Sequence, residues 1–156
     1  MDFRLRGLPW DSFAPLFEMT DDELRRCGSR RLIAAAGSIY PCRVSLMDAA
    51  PGEEVLLTNF AHVPEAATPY RSVGPIFVRR GAGEMFDRVN EVPSAALDRT
   101  LSLRAYDADN MISDARLATG RDLLAAVREQ FATVPVAYVH VHHAAYGCYQ
   151  FRVDPV

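Results

Sequence analysis

Short strand-like segments recur along most of the chain, and this pattern constrains the fold more than any other feature of the sequence. In the clearest segment Leu101, Leu103 and Ala105 alternate with polar residues, as expected of a strand with one buried face. The breaks between segments are short and contain glycine or proline, as at Gly37 and Pro51. The predicted strands cover residues 3–6, 31–35, 41–46, 54–59, 75–79, 101–106, 111–118, 136–143 and 148–153, and residues 81–93 are predicted to form a loop.

Two segments have the pattern of a helix. The main one covers about 121–132, where Leu123 and Val127 belong to an apolar stripe with charged residues on the opposite side. A short N-terminal helix is predicted at about 21–27, directly after a threonine that begins a Thr-x-x-Glu capping box. Strands outnumber helices and most connections are short, which favours antiparallel pairing. The sequence therefore predicts an α+β fold, with a mostly antiparallel sheet and the main helix packed on it.

The length and charge of the chain limit the class of protein. Its 156 residues, 49% of them hydrophobic, suit a single domain over residues 1–156 with its own core. The formal net charge of −3 argues against non-specific binding of nucleic acid, which needs a basic surface. The longest apolar run, at 134–141, is far shorter than the roughly 20 residues of a membrane helix, and the N-terminal residues do not resemble a signal peptide. We therefore expect a cytoplasmic protein that binds neither nucleic acid nor membrane.

The chain contains no lysine, so all 17 of its basic residues are arginine. This excludes a Walker-type phosphate loop and Schiff-base chemistry, since both need a lysine amine. Any anion that the protein binds must meet guanidinium groups, which suit carboxylate and phosphate. The three cysteines are an odd number without a Cys-x-x-Cys pair, which argues against a disulfide framework.

The last two predicted strands give the main candidate site. Successive side chains of a strand point to opposite faces, so Val139 and Val141 should oppose the polar residues between them. If the apolar residues of both strands lie together, the polar residues must share the other face. Tyr149, Phe151 and Val153 are expected on the apolar face with the two valines. The polar face is expected to carry Tyr138, His140, His142, Cys148, Gln150 and Arg152, extended by Arg104 and Tyr106 if their strand is a neighbour.

Such a face could hold and transform a small, anionic molecule. His140 would act as a general acid or base, with His142 beside it, and Cys148 as a nucleophile. Arg104 and Arg152 would hold the anion, lined by Tyr106 and Tyr138. Arg71, in a predicted loop, is a further ligand-binding candidate or a solvent-exposed residue. Whether the protein is an enzyme stays open at this point.

Two other functions fit the same residues. His140 and His142, two positions apart on a strand, could bind a divalent metal such as zinc, although a metal site needs three or four ligands and His62 lies in a different segment. The chain could instead be a non-catalytic interaction module or a homodimer, because some of its apolar strands must lie at a sheet edge. The histidines would then be half-buried structural residues.

Several short motifs together resemble an uncharacterised bacterial family, the domain of unknown function 1203. The motifs that carry the resemblance are Pro41-Cys42-Arg43, Asp48-Ala49, Pro51-Gly52-Glu53, Tyr70-Arg71, Gly74-Pro75-Ile76-Phe77-Val78, residues 101–107, Asp114-Ala115, residues 137–142 and Gly147-Cys148-Tyr149. The likeness runs from about Leu5 to Asp154. It implies a single-domain, cytoplasmic, bacterial protein and brings no activity, cofactor or catalytic residue with it.

Overall fold

The larger of two sheets forms the centre of the molecule. The computed structural model describes residues 1–156, and its six-stranded sheet has the order β5-β1-β9-β8-β6-β7 with every neighbouring pair antiparallel. Its strands are β1 (Phe3–Arg6), β5 (Asp87–Val89), β6 (Thr100–Tyr106), β7 (Ile112–Thr119), β8 (Tyr138–His143) and β9 (Tyr149–Pro155). The α+β class and the antiparallel pairing predicted from the sequence are confirmed.

A second, three-stranded sheet was not expected. It contains β2 (Arg30–Ile33), β3 (Glu54–Val63) and β4 (Ser72–Arg79) in the order β2-β3-β4, again antiparallel. The far end of β3 packs on the larger sheet, where Val63 forms an apolar cluster with Tyr106 and Tyr138. The face opposite the main helix would otherwise expose these aromatic rings to water, so the extra sheet completes the packing.

The helices follow the sequence closely. The short helix α2 (Asp21–Arg26) begins with the predicted capping box, in which Thr20 and Glu23 each bond the backbone of the other. Helix α1 (Ala14–Phe17) is a single turn before it, and helix α3 (Leu123–Thr133) follows a 3-10 turn at Gly120–Asp122. No helix has both the length and the apolar character needed to cross a membrane.

Helix α3 covers one face of the larger sheet. Leu123 and Val127 pack there into a core of 13 buried residues that takes side chains from four strands, β1, β6, β8 and β9. The core side chains of the last two strands are Val139, Val141, Phe151 and Val153. This face is therefore dry and apolar, and any polar chemistry must lie on the other face or at the ends of the strands.

Two segments differ from the sequence prediction. Residues 41–46, predicted as a strand, form a turn closed by a bridge between Pro41 and Asp48, with Leu46 in the left-handed region at φ 54°. The predicted loop at 81–93 contains β5, which pairs with β1. In both cases tertiary contacts outweigh the local sequence pattern. The turn packs its side chains into the protein interior, and the three residues of β5 pair with the otherwise free edge of β1.

Candidate functional site

The hairpin of β8 and β9 has an irregular register that decides which side chains share a face. Val141 lies opposite Phe151, and His140 lies opposite Arg152, as the sequence pattern predicts. A bulge then follows, so that His142 lies opposite Tyr149. Gln150 is the extra residue of the bulge, and the alternation of β9 is reversed beyond it.

The bulge corrects the predicted composition of the polar face. Tyr149, expected on the apolar face, has its ring against those of His140 and His142, with centroids 5.1 and 5.9 Å away. Cys148 and Gln150, expected beside the histidines, instead line a cavity on the other side of the hairpin turn. The structure therefore does not bring Cys148 to His140 or His142.

Strand β6 lies beside β8 and extends the face, which the sequence left open. Arg104 is paired with His140 and Tyr106 with Tyr138. The two tyrosine rings stack with centroids 5.1 Å apart, and the His140 ring lies 4.9 Å from Tyr138 and 5.1 Å from Tyr106. The face is thus a continuous layer of rings rather than an open polar surface.

A third histidine, His62 of β3, completes this layer from the second sheet. Its ring lies 5.9 Å from His140 and 5.0 Å from His142, and it stacks on Tyr149 at 5.6 Å. We call His62, His140 and His142 the histidine cluster. Sequence reasoning missed His62 because β3 was predicted to end at Asn59, whereas extending that strand by its own alternation would have placed Phe60 and His62 in the sheet.

The histidine cluster is poor in hydrogen bonds. One ring nitrogen of His142, Nδ1, lies 2.9 Å from the carbonyl oxygen of Gly147 and donates to it. Four other buried ring nitrogens have no partner: both of His62, Nδ1 of His140 and Nε2 of His142. Unpaired buried polar atoms are rare in folded proteins and cost stability, so the lack of a hydrogen-bond partner at these four atoms requires an explanation.

Burial keeps the histidine cluster uncharged. It lowers the pKa of His140 to about 2, helped by the neighbouring histidines, and the pKa of His142 to about 3. Burial also lowers the pKa of His62, and Arg104 adds to the effect. The tyrosines respond in the opposite sense, since burial raises the pKa of Tyr138 to about 12 and that of Tyr149 further. At neutral pH every ring of the layer is therefore neutral.

The other side of the hairpin turn borders a cavity of about 610 Å³. We call it the Arg43 cavity. It opens between the turn that contains Arg43, the second sheet and the β8–β9 connection. Its lining residues are Gly37, Ser38, Ile39, Tyr40, Pro41, Arg43, Leu57, Pro75, Phe77, His143, Tyr146, Cys148 and Gln150.

Arg43 is the most unusual residue of the cavity. Its side chain is buried, with 2% of the residue exposed, yet it belongs to none of the ion pairs in the molecule. Nε donates to the carbonyl of Tyr149 at 2.6 Å, and a terminal nitrogen donates to the carbonyl of Pro41. Burial lowers the pKa of Arg43 to about 10, so the group stays a cation at neutral pH.

Cys148 belongs to this cavity and not to the histidine cluster. Its Sγ donates to the carbonyl of Tyr146 at 3.8 Å. The neighbouring His143 accepts a hydrogen bond on Nδ1 from the Tyr146 N–H at 3.3 Å. Because His143 Nδ1 already accepts this hydrogen bond, it does not serve as a base for Cys148. His140 and His142 lie on the other side of the hairpin, so the cysteine–histidine pair proposed from the sequence is not formed with them. All three cysteines of the chain are free thiols.

The remaining predicted ligand-binding residues lie outside the cavity lining. Arg152 donates to Asp154 at 2.7 Å and its guanidinium lies 3.8 Å from the centre of the Tyr138 ring. Its positive charge is therefore already compensated within the protein. Arg104 is half-buried beside His140. Arg71 lies just before β4 and is exposed to solvent, which agrees with the second of the two interpretations given from the sequence.

No group of three or more histidine, cysteine, aspartate or glutamate side chains is placed to hold a metal ion. The rings of His140 and His142, the two ligands suggested by the sequence, have centroids 6.2 Å apart. A metal would require the rings of the histidine cluster to turn toward one point.

Comparison with known proteins identifies the family. The sequence model described as Protein of unknown function (DUF1203) matches residues 39–154. The chain belongs to the DUF1203 family. No curated protein and no solved structure matched it. The matched DUF1203 segment contains Arg43, the whole histidine cluster and both strands of the hairpin, whereas β1, α1, α2 and β2 lie before it.

Proposed function

We propose that this protein is a cytoplasmic small-molecule-binding protein that holds an anionic ligand in the Arg43 cavity. The observation that carries the proposal is a buried guanidinium that borders a cavity without a carboxylate partner. Burying a charge costs several kcal/mol unless an opposite charge or strong hydrogen bonds compensate it. Two backbone carbonyls supply partial compensation, and a bound anion would supply the rest.

The size and lining of the cavity support this proposal. A volume of about 610 Å³ falls within the range of about 300–1,000 Å³ typical of ligand sites. Such sites combine apolar walls with a few polar groups that orient the ligand. Here Leu57 and Phe77 supply apolar surface, and Arg43, Gln150 and Cys148 supply polar groups.

The histidine cluster is a weaker candidate for the anion. Its imidazoles are neutral, and the second sheet covers them. Arg152, the cation over its edge, is already paired with Asp154. Because Cys148 and His140 lie on different sides of the hairpin, the geometry favours binding over cysteine–histidine catalysis.

Ligand-dependent stabilisation of paired arginine variants tests the proposal. Anions that bind the folded state raise the melting temperature by an amount that grows with the ratio of anion concentration to dissociation constant. Wild-type protein should be stabilised by a panel of millimolar carboxylates and phosphates, and Arg43→Met should lose that response. Arg128→Met removes an exposed arginine of α3 that forms no ion pair and should keep it. An equal response in all three proteins would refute the proposal.

A divalent metal such as zinc at the histidine cluster is a second candidate function. Its support is the bond from His142 Nδ1 to Gly147, which leaves the Nε2 lone pair of a neutral ring free beside His62. Metal-binding histidines use this arrangement, with the second nitrogen donating to a carbonyl. Elemental analysis of tag-free protein, with titration of Zn²⁺ into wild type and His62→Phe, tests it. Absence of metal and of Zn²⁺-induced stabilisation would exclude it.

A further inference from the structure

The charges that line the Arg43 cavity restrict the ligand to a single negative charge. Arg43 is the only arginine among the lining residues, which include no aspartate or glutamate. Burial lowers the pKa of His143, so that ring adds no positive charge at neutral pH. Arg99 lies close enough to lower the pKa of Arg43, but Asp48 holds its guanidinium through both carboxylate oxygens at 2.7 and 2.6 Å. The cavity therefore offers one uncompensated positive charge.

The free donors of Arg43 match a carboxylate. A guanidinium has five N–H groups in a fixed plane, and the carbonyls of Pro41 and Tyr149 engage two of them. The remaining donors can form the parallel pair of bonds that guanidinium makes with two carboxylate oxygens. A phosphate dianion would keep one charge and one oxygen unmatched in a low-dielectric site, and that mismatch weakens its binding.

One part of the cavity wall, formed by the second sheet, is apolar. Leu57 and Phe77 are cross-strand partners of β3 and β4, and both are half-buried. Tyr40 lies edge-on to Phe77, with ring centroids 5.2 Å apart. Apolar surface that remains half-exposed in a concave site gains free energy when a ligand removes it from water. The wall thus suits a hydrocarbon or aromatic group and gives a hydroxylated ligand few partners.

We infer that the ligand of the Arg43 cavity is a monocarboxylate with an apolar body, of the aromatic or branched aliphatic acid class. The carboxylate lies against Arg43, and the body lies against Leu57, Phe77 and Tyr40. This inference rests on the proposed function, because it specifies the ligand of that same site.

A matched set of probes tests the inference by calorimetry and NMR titration of the purified protein. The probes are 3-phenylpropionate, its uncharged amide 3-phenylpropionamide, phenyl phosphate and acetate. The amide is expected to bind at least about tenfold more weakly than 3-phenylpropionate, since it lacks the charge-assisted bond. Acetate should also bind at least about tenfold more weakly, because it lacks the apolar body. Phenyl phosphate should be weaker than 3-phenylpropionate.

Two variants separate the two halves of the ligand. Arg43→Met should abolish the preference for 3-phenylpropionate over its amide. Leu57→Thr should weaken 3-phenylpropionate several-fold and leave acetate unchanged, while Arg128→Met should change neither.

The failure of this inference can be distinguished from failure of the proposed function. Tighter, Arg43-dependent binding of phenyl phosphate, or acetate binding as tightly as 3-phenylpropionate, would overturn the monocarboxylate assignment and leave anion binding intact. Binding of no probe, or binding that Arg43→Met does not change, would overturn both.

Discussion

The two sides of the β8–β9 hairpin bury polar groups in opposite ways. On one side the histidine cluster holds three uncharged rings with four unpartnered nitrogens. On the other side Arg43 keeps its charge, bonded to two carbonyls beside an open cavity. Both groups are buried, and Arg43 borders the cavity of about 610 Å³, in which a partner of opposite charge can bind.

The difference shows what burial does to groups of different intrinsic pKa. An imidazole with an ordinary pKa near 6.5 loses its proton on burial and avoids the cost of a buried charge. A guanidinium begins at 12.5, so even a fall to about 10 leaves it charged at neutral pH. The protein must therefore stabilise the Arg43 charge, whereas it must only tolerate the neutral rings.

Acidification should give the largest effect, because it acts mainly on the histidine cluster, where burial lowers the pKa of His140 and His142 strongly. The pKa values of His140 and His142 in the folded protein, about 2 and about 3, lie below the unfolded value of 6.5. Below pH 6.5 the unfolded chain therefore binds protons that the folded chain does not, and stability falls. Between pH 7 and pH 5 each ring should lose about 2 kcal/mol, or about 4 kcal/mol for the pair. Urea unfolding at both pH values measures the loss.

This pH window isolates the imidazoles from the carboxylates. Glu54 and Asp114 have lowered pKa values because arginine side chains bond them, and their stabilisation is lost only as the pH falls below the ordinary carboxyl range. His140→Phe/His142→Phe should lose much less stability at pH 5, and the remaining loss should come from His62 and His143, whose pKa values burial also lowers. A wild-type loss below about 1 kcal/mol would mean that the rings take up protons while folded.

Removal of the buried charge is the next largest effect. Arg43→Met should lower the free energy of unfolding by about 1–3 kcal/mol, because the carbonyls of Pro41 and Tyr149 lose their donors. The loss should be the same at pH 5 and pH 8, since both values lie below the folded and the unfolded pKa of Arg43. Chemical unfolding of wild type and variant at the two pH values measures both statements. A stability gain in Arg43→Met would show that the carbonyls do not need the guanidinium.

Replacement of one orphaned ring should have a smaller effect of opposite sign. His62→Phe keeps the stacking on Tyr149 and removes two unpartnered nitrogens, so stability at pH 7 should rise by about 1 kcal/mol. His143→Phe is the matched control, because it removes an acceptor that Tyr146 uses, and it should lower stability. Thermal unfolding of the two variants compares them. Equal changes in both would contradict the role given to the unpaired nitrogens.

The sequence predicted every strand of the larger sheet except β5, and it predicted the main helix and the short N-terminal helix, because each of these has a local signature. Leu101 to Ala105 alternate, and Thr20 with Glu23 closes a capping box. The bulge at Gln150 has no such signature, and it moved Tyr149 to the histidines and Cys148 to the cavity. The sequence does not single out Arg43, because residues 41–46 have the pattern of a strand and not of a turn. Burial without a partner is a property of the assembled fold, and no sequence window contains it.

Arg152 should give the smallest effect, and it marks the limit of the comparison. It is one of two cations beside the histidine cluster, together with Arg104, but it is half-exposed, bonded to Asp154 and stacked over Tyr138. Arg152→Gln should therefore cost only about 0.5–1 kcal/mol, the range of an exposed cation–π contact or ion pair. Although the Arg152 charge contributes to the low pKa of His140, that pKa should stay far below 5 in the variant, so the stability loss between pH 7 and pH 5 should equal that of wild type. Urea unfolding at pH 7 and pH 5 measures both. A loss of stability as large as that of Arg43→Met would mean that the fold depends on the Arg152 charge as it does on the Arg43 charge. The contrast between the two sides of the hairpin would then no longer hold.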